Sequence, residues 1–351
     1  MLATAGAATF TALAVTWVAI PFLIPRAERW RLVDHPGGRK THARSTPVVG
    51  SVAMAAGVLA AMLLVRTMTT GERLTADATI AWPIAAAILA GAVLLLVVGI
   101  VDDQRELGAS IKLLAQIAAA LPLVQVHDFS IFHAWLPSWT ASAAELLWIL
   151  AVVNAFNMLD GIDGLMGSVA LLCALAIAVL AWSWKVYDAC FLLAALVGAL
   201  LGFLRWNLPP ARTFAGDGGS LMVGYLVAAI SIRITGPDAA LDLTGRPYAI
   251  IALLLILAIP FYDLVSVVWL RAIERRGLFG GDTSHLAHRL VRRGLSPRRT
   301  LVFIVGCTLL TALAGLLLAR VGRAAAMSVV AQCAVVIGLI ALMEAKTRPA
   351  A

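Results

Sequence analysis

Long apolar runs, separated by short polar segments, recur along the whole of this 351-residue chain. They fall near residues 5–24, 48–65, 80–101, 111–126, 143–159, 164–182, 188–204, 218–235, 248–270, 300–319 and 324–343. Runs of this length can cross a hydrocarbon core about 30 Å thick as helices. Only helices and closed barrels satisfy the backbone there, and the alternating ten-residue strands of a barrel are not visible. The pattern predicts an all-α, polytopic integral membrane protein with about eleven transmembrane helices, the run at 111–126 being the shortest. No internal repeat or appended soluble domain is evident. Residues 1–351 read as a single membrane-embedded domain, with connecting loops at 25–47, 102–112, 160–164, 205–217 and 271–299.

Composition strengthens this picture. Apolar residues make up 62% of the chain, charged residues 13%, and mean hydropathy is +0.94. A soluble domain carries about twice that share of charge. An ordinary soluble enzyme, a disordered chain and a disulfide scaffold are excluded. Cys173, Cys190, Cys307 and Cys333 lie in apolar stretches without metal-type spacing and read as small packing residues. The first apolar run has no basic flank ahead of it, so an uncleaved first span with its N-terminus outside is expected.

Charge sets the orientation. The net charge is +8, with 27 Lys+Arg. All of these except Arg66, Arg73, Lys185, Arg233, Arg246, Arg320 and Arg323 fall on one alternating set of loops. That set should be cytoplasmic, which places the C-terminus inside. The basic excess then serves contact with anionic lipid rather than nucleic acid.

The carboxylates, amides and histidines gather on the same side, and five clusters stand out. Asp102-Asp103-Gln-Arg-Glu106 follows the third span. Adjacent carboxylates are tolerated beside a cation, although a charged span terminus explains them equally well. Asn154 and Asn157 lie one helical turn apart and lead into Asp160 and Asp163. That looks like a polar substrate pocket, with interhelical hydrogen bonding as the plainer alternative. Phe214-Ala-Gly216-Asp217-Gly218-Gly219-Ser220 opens the eighth span. Its free N–H groups and helix dipole favour an anion, and Asp217 could hold a metal bridging to it. In Asp282-Thr-Ser-His285-Leu-Ala-His288-Arg289 the cations suit phosphate oxygens or an anionic lipid surface. No third ligand near the two histidines supports zinc. Asp34…Arg39-Lys40-Thr-His42 is, by itself, a basic loop. Asp263, just inside the ninth span, has no place in these sets; helix packing or support of a neighbouring group is its expected role.

In order and spacing the five clusters resemble the polyprenyl-phosphate N-acetylhexosamine-1-phosphate transferases, over roughly residues 34–297. Asn154-Ala-Phe-Asn157-Met-Leu-Asp160-Gly-Ile-Asp163-Gly-Leu is the most specific stretch. Asn207-Leu-Pro-Pro-Ala…Gly216-Asp217-Gly-Gly-Ser is similar to the family's Asn-x-x-Pro-Ala…Gly-Asp-x-Gly-Ser. The chain departs from the family at Ala287, where many members have a third histidine, and at Ser51, where a second glycine is usual. Lacking the triple histidine, it is closer to the UDP-N-acetylhexosamine branch than to the phospho-N-acetylmuramoyl-pentapeptide transferases.

The resemblance implies transfer of a sugar-1-phosphate, expected to come from UDP-GlcNAc, to undecaprenyl phosphate. UMP is released, in the first membrane step of cell-envelope polysaccharide synthesis. It implies Mg²⁺ (or Mn²⁺), with Asp217 and Asp103 as metal ligands and Asp102, Asp103 and Asp160 as catalytic carboxylates. Substrate would be bound by Arg39, Lys40, His42, Lys112, Asn154, Asn157, Asp163, Asn207, His285, His288 and Arg289. The expected setting is the bacterial inner membrane, among membrane lipids, with the site facing the cytoplasm; a homodimer is compatible with it. A muramoyl-pentapeptide donor and, in another class, a transporter of a phosphorylated solute are the rival readings.

Overall fold

The computed structural model describes residues 1–35, 45–69, 82–126, 130, 132–236, 248–274, 285–318, 321 and 323–345. Arg39, Lys40, His42 and Asp282 lie outside them. The chain begins with α1 (Leu2–Leu23), which runs into a short 3-10 turn at Ile24–Arg26. Two short strands follow, β1 (Val33–Asp34) and β2 (Thr46–Pro47), paired antiparallel with Val33 opposite Pro47. This pair is the one departure from the all-helical expectation among the described residues. Then come α2 (Gly50–Thr69), α3 (Trp82–Arg105), α4 (Ala109–Val124), a single turn α5 (Phe132–Trp135) and α6 (Ser138–Leu159). They are followed by α7 (Leu165–Ser183), α8 (Tyr187–Asn207), α9 (Gly216–Arg233), α10 (Ala249–Ile256) and α11 (Ala258–Ile273). The short α12 (Leu286–Arg292) precedes α13 (Pro297–Leu318) and α14 (Arg323–Ala345).

Each expected apolar run coincides with a helix, or in one case with a pair of helices. Among the described residues, eight helices are long and apolar enough to cross a membrane, and nine if α10 and α11 count as one span. That pair bends by 73° at Leu257. The helix in the 111–126 run, α4, is shorter than the eight. In the run at 218–235, α9 carries Asp217 and Arg233 near its ends.

The bundle is arranged around α9, whose residues from Gly218 to Arg233 are all buried. Helices α3, α6, α2, α7 and α8 pack against it. Several polar groups within this core are matched. The Trp148 indole N–H donates to Ser231 Oγ at 3.0 Å, and the Tyr225 hydroxyl donates to the Ala119 carbonyl at 2.8 Å. Asp188 and Arg233 form a buried ion pair at the end of α9 away from Asp217. Helix α1 seats on α8 and α2 through small residues: a Cβ at Gly198 or Gly202 would meet the α1 backbone, and one at Gly57 the Thr16 side chain. Close backbone approach of this kind is how helices associate where lipid supplies no hydrophobic drive. The outside of the bundle is apolar too, with Trp139, Leu147, Trp269 and Val302 all exposed, as hydrocarbon contact requires. The four cysteines are buried and free.

Candidate active site

The first turn of α9 is the centre of a polar pocket. Gly216 has φ +65°, a left-handed conformation that only glycine adopts without strain. A side chain there would also strike the Asp103 carboxylate and Val48. The approach to this turn is pinned by neighbouring backbone. Phe214 N–H donates to the Pro47 carbonyl at 2.9 Å, and Gly50 N–H donates to the Phe214 carbonyl at 3.0 Å. Asn207 closes the same loop, accepting from Gly164 N–H at 3.0 Å and donating to the Thr213 carbonyl at 2.9 Å. Asp163 accepts from Ala211 N–H at 2.9 Å. Both expected substrate binders therefore brace the loop at the pocket wall.

The free N–H groups expected at this helix end are engaged by the protein's own carboxylates. Asp217 N–H and Gly218 N–H donate to the two Asp103 oxygens at 2.8 and 3.2 Å, and Gly216 N–H donates to Asp160. Asp103, on α3, thus caps α9 from a neighbouring helix. Gly99, one turn earlier on α3, makes room: a Cβ there would meet the backbone of Asp217 and Gly218.

The Asp217 carboxylate faces into the pocket between two donors. Asn157 Nδ2 donates to Oδ1 at 2.9 Å and the Lys112 ammonium to Oδ2 at 2.8 Å. Lys112 also reaches Asp102 Oδ2 at 2.9 Å, and Asn157 donates to Ser220 Oγ at 2.9 Å. One lysine therefore balances two carboxylates.

The pocket has a volume of about 330 Å³. Asp34, Asp103, Asn157, Asp160, Asp163, Asn207, Asp217 and His288 are among the residues that line it. Residues far apart in sequence thus meet at one end of the bundle. Asp34, at the end of β1, is a lining carboxylate without an expected site role; its place at the head of the Asp34…His42 cluster is the signal for it. Among the described residues, four expected binders are not in the lining, one of them Lys112, which meets the pocket through Asp217. Asn154 donates to Gln116 Oε1 at 2.7 Å and to the Leu150 carbonyl at 2.8 Å, joining α6 to α4. His285 and Arg289 turn toward Asp263, on α11.

Asp160 is the pocket group whose proton affinity departs furthest from the ordinary. Its pKa is pushed up to about 8 by withdrawal from solvent, with Asp217, Asp103 and Asp34 adding repulsion. The excess of carboxylate charge suits a cation. Among the described residues no three or more His, Cys, Asp or Glu side chains converge to cage a metal by themselves. Hard oxygen donors in small number fit Mg²⁺, which completes its shell with water and phosphate. Asp217, with Asp160 in the same pocket, would hold it; Asp103, the other expected ligand, has both oxygens on N–H groups of α9.

The raised Asp160 pKa has a measurable sign. The folded chain binds that proton more tightly than the unfolded chain, whose carboxyl titrates near 3.8. Folding stability should therefore fall as pH rises from about 4 to about 8. The melting temperature of detergent-solubilised, EDTA-treated protein is expected to drop across that window, and to drop less in Asp160→Asn. Equal slopes in the two proteins would assign the effect to another group.

Comparison with known proteins gives a consistent picture. The glycosyl transferase family 4 profile matches residues 85–235. A Bacillus subtilis (strain 168) protein named a probable undecaprenyl-phosphate N-acetylglucosaminyl 1-phosphate transferase is 31% identical over 279 residues, covering 78% of this chain and 73% of the relative. The decaprenyl-phosphate N-acetylglucosaminephosphotransferase of Mycobacterium leprae is 30% identical over 316 residues, covering 84% and 78%. The undecaprenyl-phosphate alpha-N-acetylglucosaminyl 1-phosphate transferase of Escherichia coli (strain K12) is 29% identical over 310 residues, covering 84% and 77%.

Proposed function

The chain belongs to the polyprenyl-phosphate N-acetylglucosaminyl 1-phosphate transferases of glycosyl transferase family 4, and from that membership we propose that it transfers GlcNAc-1-phosphate from UDP-GlcNAc to a polyprenyl phosphate, releasing UMP. The observation that carries the proposal is the convergence of Asp103, Asn157, Asp160, Asp217 and His288 on one pocket. The relatives' names support a polyprenyl phosphate acceptor and an N-acetylglucosamine donor over the muramoyl-pentapeptide and transporter readings.

In this reading a phosphate oxygen of the acceptor attacks the donor phosphorus that bears the sugar. The bond from that phosphorus to the bridging oxygen breaks, and UMP leaves with that oxygen. Mg²⁺, held by Asp217 and Asp160, would neutralise the phosphate oxygens and stabilise the charge developing on the leaving phosphate. The acceptor phosphate is already largely dianionic at neutral pH, so no strong base is required. Lys112 keeps Asp102 and Asp217 from repelling each other and offers a cation to an arriving phosphate. Asn157 fixes the rotamer of Asp217. His288, which lines the pocket beside Gly161, would bind donor oxygens. The loop basicity supports a pocket facing the cytoplasm of a bacterial inner membrane, with the N-terminus outside and eleven crossings including α4, α9 and the bent pair.

The test is UMP release by purified protein from UDP-GlcNAc, UDP-GalNAc and the muramoyl-pentapeptide donor, with undecaprenyl phosphate, with and without Mg²⁺. Release from UDP-GlcNAc alone and only with Mg²⁺ is expected. Release from the muramoyl-pentapeptide donor alone would overturn the donor assignment. Asn157→Ala should lower the rate about 10²-fold, the size of losing one placed hydrogen-bonding group at a reacting centre. Asn154→Ala should stay within a few-fold of wild type while losing about 1 kcal/mol of stability, chiefly the interhelical hydrogen bond to Gln116. The reverse ranking would place Asn154 in the pocket.

A further inference from the structure

Asp263 lies in α11, beyond the bend at Leu257, and its side chain is 1% exposed. A carboxylate so placed must be paired. Its Oδ1 accepts Leu286 N–H at 2.6 Å, which caps α12, a helix whose own N-cap residue His285 makes no side-chain cap. Its Oδ2 stands 3.4 Å from His285 Nδ1, and Arg289 Nη1 is 3.8 Å from Oδ1. Arg289 extends the chain of contacts, donating to Ser266 Oγ at 2.7 Å and to Glu344 Oε1 at 3.0 Å. Glu344 sits in the last turn of α14, and its Oε2 accepts from the Tyr262 hydroxyl at 2.8 Å. One turn on from Arg289, Arg293 donates to the Met343 carbonyl. The end of α14 is thus fastened to α12 at two successive residues, and α12 is fastened to α11.

His288 rides on the same turn of α12 and faces the pocket, its Nε2 3.0 Å from where a Cβ on Gly161 would sit. We infer that Asp263, Arg289 and Glu344 form a clasp through which the C-terminal helix holds His288 against the donor's diphosphate. They are positioning residues: none of the three lines the pocket. The inference rests on the transferase reading for the ligand of His288, but the clasp itself is a statement about α12.

The experiment uses the full chain in detergent with UDP-GlcNAc, undecaprenyl phosphate and Mg²⁺. Glu344→Ala should raise the KM for UDP-GlcNAc about tenfold and change kcat less than about threefold, since ground-state placement of the donor is lost. Glu344→Gln retains acceptors for Arg289 and Tyr262 only in part and should fall between. In a His288→Ala background, Glu344→Ala should have no further effect on KM, because its action runs through that imidazole. Should Glu344→Ala not fold, Ser266→Ala replaces it, with about a threefold rise in KM expected. In parallel, amide exchange at residues 286–290 should speed up in the variant while residues 157–160 stay protected. An unchanged KM, or effects of Glu344→Ala and His288→Ala that simply multiply, would overturn the clasp. If the wild-type protein releases no UMP, the transferase reading falls, and unchanged exchange at 286–290 would then separately overturn the clasp.

Discussion

Asp217→Asn is expected to lower UMP release about 10³-fold, near the upper end for removal of one electrostatic contact to a developing charge, some 4 kcal/mol of barrier. The substitution keeps the side-chain volume and removes the charge. Lys112 retains Asp102 as a partner, and Asn157 retains Ser220, so the surrounding hydrogen bonds have somewhere to go. One of the five carboxylates that line the pocket becomes neutral, which relieves Asp160. The folded protein should therefore melt no lower than wild type. A ligand that binds only the folded state raises the melting temperature by mass action. Mg²⁺ should do so in wild-type protein and fail to do so in the variant. A variant turning over at more than about a tenth of the wild-type rate would remove Asp217 from the centre of the chemistry, being a loss of under about 1.4 kcal/mol.

The helices were legible because hydrocarbon imposes one rule on every span, and every helix except the short α5 and α12 coincides with an apolar run. The break at Leu257 was not legible. It falls inside an unbroken apolar run with only Pro260 nearby, and periodicity says nothing about which helix face a neighbour supports. The membership of the site was readable from types and order, but its division of labour was not. Asp102 and Asp103 are adjacent, so on a helix they point about 100° apart. One meets Lys112 and the other meets α9. Asn154 and Asn157 share a face, yet they differ in depth by one turn, enough to put Asn154 against Gln116 instead of the pocket. His285 and Arg289, four residues apart, share the side of α12 that meets Asp263, while His288 turns away from them. Glu344 lies outside every motif, and only packing brings it to Arg289. Asp263 did carry a signal: a carboxylate inside an apolar run requires a partner.

Asp103→Asn should fail differently from Asp217→Asn. Both Asp103 oxygens accept backbone N–H groups from the first turn of α9. An amide can present only one oxygen, so its NH₂ would face the other N–H. An unsatisfied buried donor costs about 1–3 kcal/mol, and the lost negative charge at a helix N-terminus adds about 0.3–1 kcal/mol. The strain falls on the helix that carries Asp217 and Ser220, so turnover should drop with stability, by about 10²-fold, as expected when a reacting group is displaced by an ångström. Gly216→Ala should behave alike for an independent reason, since it combines a strained positive φ with a clash against the same carboxylate. Thermal unfolding and UMP release measured on the same preparations separate the roles. Both variants should melt below wild type and below Asp217→Asn. An Asp103→Asn protein that melts like wild type yet releases no UMP would mean that Asp103 acts on the substrates or the metal rather than through the start of α9.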